Sequence, residues 1–315
     1  METTCVHYSR DYVGNPCIVA IDRDHCAIAD GSGQLIAVDV RTRDVGPRLF
    51  LGLSGSAGAS NLRSARRHPA RSSVVAVATR AGYAVVGDLA GPAVAKIHPV
   101  QGGTVQSVAF SPDGRRLAIG TGTYTTTGVP QPAHVEVWSQ PDPAEGPPRA
   151  LVVAALPGVC VDAIAWHPEG GLIACASGLR SQRSGFVAQL EAEDLRPRSF
   201  FETAWTGTGR LEYVDRDANA GHLAVALKGG FRLLGAEDGQ EAWRIDRPEV
   251  PELPLDFALD PADGSIVLAS GVARDSRDGT RRSRFLAMRD CTSIAARPGG
   301  GFFGASSRGR IYCWD

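Results

Sequence analysis

Several signatures are missing from this 315-residue sequence, and each omission removes a class of function. The seven cysteines include no Cys-x-x-Cys pair, and the histidines form no His-Glu-x-x-His helix motif, so the usual spacings of a zinc centre do not occur. No metal and no other cofactor is expected. The Gly-x-Ser-x-Gly elbow of many hydrolases is absent. The glycine-rich stretch Gly120–Gly128 is followed by no Lys-Ser/Thr pair and no helix start, both of which a phosphate-cradling loop needs. Charge is balanced at a net −1, giving no global pull toward nucleic acid or membrane. No apolar run approaches the ~18 residues of a membrane span, and Met1–Arg10 lacks the basic-then-apolar layout of a secretory leader. A non-enzymatic cytoplasmic protein is the expectation. Richness in Ala, Arg and Gly points to a GC-rich coding sequence of the kind many bacteria carry.

What the chain does contain is turns, with 37 Gly and 20 Pro, and a repeated phrase. VQSVAFSPDGRRLAIGTG (105–122) alternates along two segments about a Pro112-Asp113-Gly114 turn. Val108 and Phe110 lie two apart, as do Leu117 and Ile119, which predicts a tight hairpin with one buried face. Weaker copies begin at Cys17, Leu62, Val161, Arg210, Pro254 and Cys291. The turn-opening residues are Arg23, Pro69, Pro112, Pro168, Asp215, Pro261 and Pro298, recurring about every 45 residues. Seven units account for the whole chain, so residues 1–315 form one domain.

SVAFSPDGRRLAIGTG with HVEVWSQ (134–140), and GFFGASSRGRIYCWD at the end, resemble WD40 repeats, strongly over 104–139 and 291–315 and weakly elsewhere. The resemblance implies an all-β fold: a seven-bladed β-propeller of four-stranded antiparallel blades. It also implies that residues 3–10 supply the outer strand of the last blade, closing the ring. The chain departs from the family pattern in lacking the Gly-His pair before each repeat, with Gln101 where the His is expected. Only Trp138 and Trp314 take the tryptophan position, so the family's Asp-His-Ser-Trp network is expected to be mostly absent. Blade 6 reads as short, because RFLAMRD runs almost directly into CTSIAARP.

Within strands, Cys26, Cys175 and Cys313 read as small buried hydrophobes, and His68 and His167 as repeat positions beside turn prolines. Asp215–Gly221 has oxygen donors at alternate places. A calcium loop would need Gly and Glu where Ala220 and Ala226 stand, so it reads as a turn.

Function is therefore sought on the loops. In a blade, the connections after the second strand and into the first share one end, here called the top. Insertions 121–133, 177–185 and 270–284 are assigned there, and the proline-rich 141–148 to the bottom. Arg80, Lys228 and Arg308 stand where many WD repeats have Asp, and the insertions add Arg180, Arg183, Arg274, Arg277, Arg281, Arg282 and Arg284. Asp30, Asp275 and Asp278 oppose them, while Tyr124 and Trp205 supply aromatic surface. Arginines on loop tips also serve solubility alone. The sharper reading is a partner-binding face for an acidic protein segment, because guanidinium forks match carboxylates. Nucleic acid is disfavoured, since the basic and aromatic residues do not interleave as in single-strand binders. A propeller enzyme or a small-molecule binder at the channel mouth remains the alternative.

Overall fold

Strands rich in Val, Ile and Ala, separated by Gly- and Asp-bearing turns, form seven antiparallel four-stranded sheets. The computed structural model describes residues 3–8, 16–31, 33–51, 62–79, 81–122, 132–139, 147–158, 160–178, 185–203, 208–214, 221–227, 230–246, 256–260, 263–269, 272–284 and 291–314. Every regular element among them is a strand, and no helix there is long and apolar enough to cross a membrane.

β1 (Thr3–His7) precedes the first complete blade. Blade 1 is β2 (Cys17–Ala20), β3 (His25–Ala29), β4 (Gln34–Asp39) and β5 (Asp44–Phe50). Blade 2 is β6 (Leu62–Arg67), β7 (Val74–Thr79), β8 (Ala84–Asp88) and β9 (Val94–Ile97). Blade 3 is β10 (Thr104–Phe110), β11 (Arg116–Gly122), β12 (Ala133–Ser139) and β13 (Ala150–Leu156). Blade 4 is β14 (Ala163–Trp166), β15 (Leu172–Gly178), β16 (Gly185–Glu191) and β17 (Pro197–Thr203). Blade 5 is β18 (Thr208–Val214), β19 (His222–Leu227), β20 (Gly230–Gly235) and β21 (Glu241–Asp246). Blade 6 is β22 (Phe257–Leu259), β23 (Ile266–Leu268), β24 (Val272–Arg274) and β25 (Arg281–Arg284). Blade 7 is β26 (Cys291–Ala296), β27 (Phe302–Ser306) and β28 (Arg310–Trp314), completed by β1. Strand order within each sheet follows the chain, and first strands of adjacent blades touch, which places them around a central channel.

The ring closes as the resemblance implied. β1 pairs antiparallel with β28 from Thr3↔Trp314 to His7↔Arg310, and Tyr8 N–H donates to Gly309 O at 3.0 Å. The remaining residues of the expected 3–10 strand, Ser9 and Arg10, lie outside the described set.

No single core exists. Seven buried clusters form, one between each pair of neighbouring blades. The hairpin at 105–122 therefore has two buried faces rather than the expected one. Leu117 and Ile119 pack toward blade 2, while Ala118 packs toward blade 4. Small residues on the second face let a neighbouring sheet come close, so alternation of side-chain size replaces alternation of polarity. Blade 6 is also corrected. Its third strand is Val272–Arg274 and its fourth Arg281–Arg284, so it is complete but built from three- and four-residue strands.

Polar groups tie blade to blade above these apolar layers. His68 Nε2 lies 3.1 Å from Gly114 O, joining blades 2 and 3. Trp166 Nε1–H donates to Ala109 O at 2.9 Å, joining 4 to 3. Tyr213 donates to Gln189 Oε1 at 3.0 Å, joining 5 to 4. Arg297 Nε–H donates to Arg23 O at 2.8 Å across the seam between blades 7 and 1.

Candidate functional site

Antiparallel order alternates the connections between two ends. The top receives the long connections 8–16, 51–61, 123–132 and 247–256 and the shorter 179–184, whereas the bottom has 140–149, 215–221 and otherwise connections of four to six residues. The structure divides the predicted arginine set between these ends. Arg80, Tyr124, Arg180, Arg183, Trp205 and Lys228 lie outside the described residues, within connections that join top strand ends. Arg308 is exposed in the β27–β28 turn, also at the top.

Arg274, Arg277, Arg281 and Arg282 are at the bottom. The expected 270–284 insertion is in fact β24, a turn at 275–280 and β25. Arg274 Nη1–H donates to Gly279 O at 2.9 Å within that turn, and Arg274 pairs in register with Arg281. Arg282 forms ion pairs with Asp263 and Asp275. Sequence reading missed this because a three-residue strand carries too little alternation to register. The end that holds them also has an acidic groove of about 730 Å³ between blades 4 and 5, lined by Glu169, Glu191, Glu237, Asp238, Arg198 and His222 among others.

The most developed polar constellation is one the loop argument overlooked, inside the channel. Ala109, Ala165, Ala258 and Ala295 occupy the same register place on four first strands, and Val19 takes it on blade 1. On blades 2 and 5 that place holds Arg66 and Glu212. These blades are not neighbours, so the Arg66 Nη2–Glu212 Oε1 pair, 3.4 Å long, crosses the channel. Four alanines and one valine leave the space that two long side chains fill.

Above it, Arg210 contacts Glu212 at 3.0 Å and Asp256 at 2.9 Å. Asp256 Oδ2 accepts from Ser293 Oγ at 2.7 Å and from Ile294 N at 3.0 Å, and Ser293 Oγ in turn accepts from Ile18 N at 3.2 Å. One chain of contacts thus runs through blades 5, 6, 7 and 1, with Arg66 reaching in from blade 2. Burial opposes the charge on Arg210, but Asp256 and then Glu212 outweigh it and hold its pKa above that of ordinary arginine. Arg66 is shifted down, by burial first and by Arg210 second. Beside them, burial and then Asp256 push the Cys17 thiol up to about 12, against the pull of Arg66, Arg210 and Arg63. The guanidiniums of Arg66 and Arg210 thus stand against the carboxylates of Glu212 and Asp256 at this part of the channel. Repeat alignment carried the signal: a charged residue at a place where four other repeats have alanine and one has valine.

Blade 3 also retains a polar tie of a different kind from the one looked for. Glu136, fully buried, accepts from Trp138 Nε1 at 3.0 Å, from Val100 N at 3.1 Å and from Gln101 N at 3.2 Å. Gln101 thus contributes its backbone where a His side chain was expected. Compared with known proteins, the chain matches no family model and no curated protein. The class is set by strand topology: this is a seven-bladed β-propeller.

Proposed function

We propose that this propeller is a divergent WD40-like protein-interaction scaffold. It acts without catalysis in the cytoplasm and binds an acidic segment of another protein at its top end. The observation that carries the reading is the gathering at that end of four of the five longest connections, over the mouth of the channel that Arg210 and Arg66 enter farther down. Guanidinium forks match an incoming carboxylate; Arg80, Arg180, Arg183 and Lys228 belong to connections at this end and Arg308 is exposed there, with Tyr124 and Trp205 as the proposed aromatic anchors.

A poly-glutamate peptide serves as the probe. Binding is expected to weaken as salt rises, because exposed charges are screened beyond about 8–10 Å. Reversing Arg180, Arg183 and Arg308 to Glu should weaken it at least tenfold, whereas reversing Arg277 and Arg281 at the opposite end should leave it unchanged. Equal effects at the two ends would sink the reading. A small carboxylate in the channel mouth is the alternative, favoured by the guanidiniums of Arg66 and Arg210 within the channel. In that case acetate-sized anions would compete while the loop reversals did little.

A further inference from the structure

Each blade ends in an outer strand whose far edge has, among the described residues, no strand beside it, which makes it a template for pairing unless charge or proline blunts it. Among the seven outer strands, six carry an ionisable residue: Arg48 in β5, Lys96 in β9, Glu202 in β17, Arg244 in β21, Arg282 in β25 and His7 in β1. The seventh, β13, reads Ala-Leu-Val-Val-Ala-Ala-Leu. In its ladder with β12 the bulge falls at Leu151, the place held by Arg198 in β17 and Arg282 in β25. Leu151 is 56% exposed. Beyond it, Val152 to Leu156 pair in unbroken register with Val137 to Ala133, so most of the edge is regular. Val100, also 56% exposed, extends the apolar surface, since its N–H is held by Glu136, the register partner of Val153.

We propose that β13 pairs with β13 of a second copy of this chain, antiparallel about a two-fold axis, merging two blades into one eight-stranded sheet. Self-pairing suits this strand because an isologous join sets a segment against its own reverse, and here no like charges meet. With Val153 on the axis, Leu151 faces Ala155 of the second copy and Arg149 faces Pro157 of the second copy. The same join through β25 would set Arg281 against Arg284. Both faces of the merged strands carry aliphatic side chains, so the backbone ladder and the apolar contacts form together.

Sedimentation of the full chain over a concentration series tests this. The unaltered protein should associate to a dimer. Leu151→Lys with Ala155→Lys places like charges opposite each other and should give a monomer with an unchanged thermal midpoint, as should the Leu151→Glu, Ala155→Glu version. Mixing the Lys and Glu versions should restore a dimer holding one of each, which only self-pairing of this strand explains. A monomer at every soluble concentration would overturn the proposal. So would a dimer that persists in the Lys version, or Lys and Glu versions that stay apart when mixed. Ala155→Lys alone, at an exposed position, serves if the double substitution fails to fold, with weakened association expected and unchanged association counting against the join.

Discussion

At the turn of the best-formed repeat, two residues hold one another in place. Gly114 has φ of +74°, and a Cβ there would lie 2.3 Å from the His68 ring. That ring is buried, and its Nδ1 accepts from Ala70 and Arg71 N–H, which leaves Nε2–H to donate to Gly114 O. Gly102 has a similar φ of +70° but open space around it. Gly102→Ala is therefore expected to cost about 1–2 kcal/mol, the left-handed backbone term alone. Gly114→Ala should cost clearly more, about 3 kcal/mol, because the ring must move as well. Denaturant midpoints of the two variants provide the comparison.

In the same turn Asp113 accepts from Ser111 Oγ at 2.6 Å and from Arg115 N at 3.0 Å, and these bonds hold its pKa below the ordinary aspartate value. A folded-state pKa below the unfolded value near ~3.9 means the stabilisation is complete above about pH 4 and is lost as pH falls through the folded value. Asp113→Asn should therefore flatten the acid limb of a stability–pH curve and leave its slope between pH 6 and 8 unchanged.

At the scale of the strand, the channel network makes an asymmetric prediction. Arg66→Ala leaves Glu212 with Arg210, so a loss of about 1 kcal/mol is expected. Glu212→Ala strands Arg66 beside Arg210 and should cost about 2–3 kcal/mol, since removing one partner of a largely buried pair leaves charge uncompensated. Because four other first strands already carry alanine at this place, the double variant should be more stable than the sum of the two losses. A double-mutant cycle by thermal or urea unfolding measures this, and strict additivity would show that the two side chains are not coupled. Elements also set the limits of sequence reading. The hairpin of β10 and β11 was legible because Ser111, Asp113 and Gly114 mark its turn and seven-residue strands give clear alternation. The strands of blade 6, three or four residues long, gave none, and Arg274, Arg277, Arg281 and Arg282 were assigned to the wrong end.

For the whole molecule, closure is the cooperative event. Val6 and Tyr8 are buried in the cluster between blades 7 and 1, and β1 supplies the edge partner of β28. A chain starting at Asn15 loses both. Val6 alone is expected to contribute about 1.5–3 kcal/mol of burial, and the uncovered β28 edge adds a site for association. A thermal midpoint many degrees lower, with aggregation on heating, should result, and melting like the intact chain would contradict closure as the source of cooperativity.

The amino-acid order determined the architecture unaided, because a propeller blade is local. Its turns, its strands and its period of about 45 residues all lie within one repeat, and the family resemblance needed only such short phrases. The first strand's role followed too, since a third strand at the C-terminus required a partner. Tertiary structure alone decided which charges meet. Arg66 and Glu212, or Arg210, Asp256 and Ser293, lie far apart in the chain and come together only when the ring closes around the channel. The ends to which Arg282 and Arg308 belong likewise depended on strand count within a blade, because each added strand reverses the chain and carries the next connection to the opposite face.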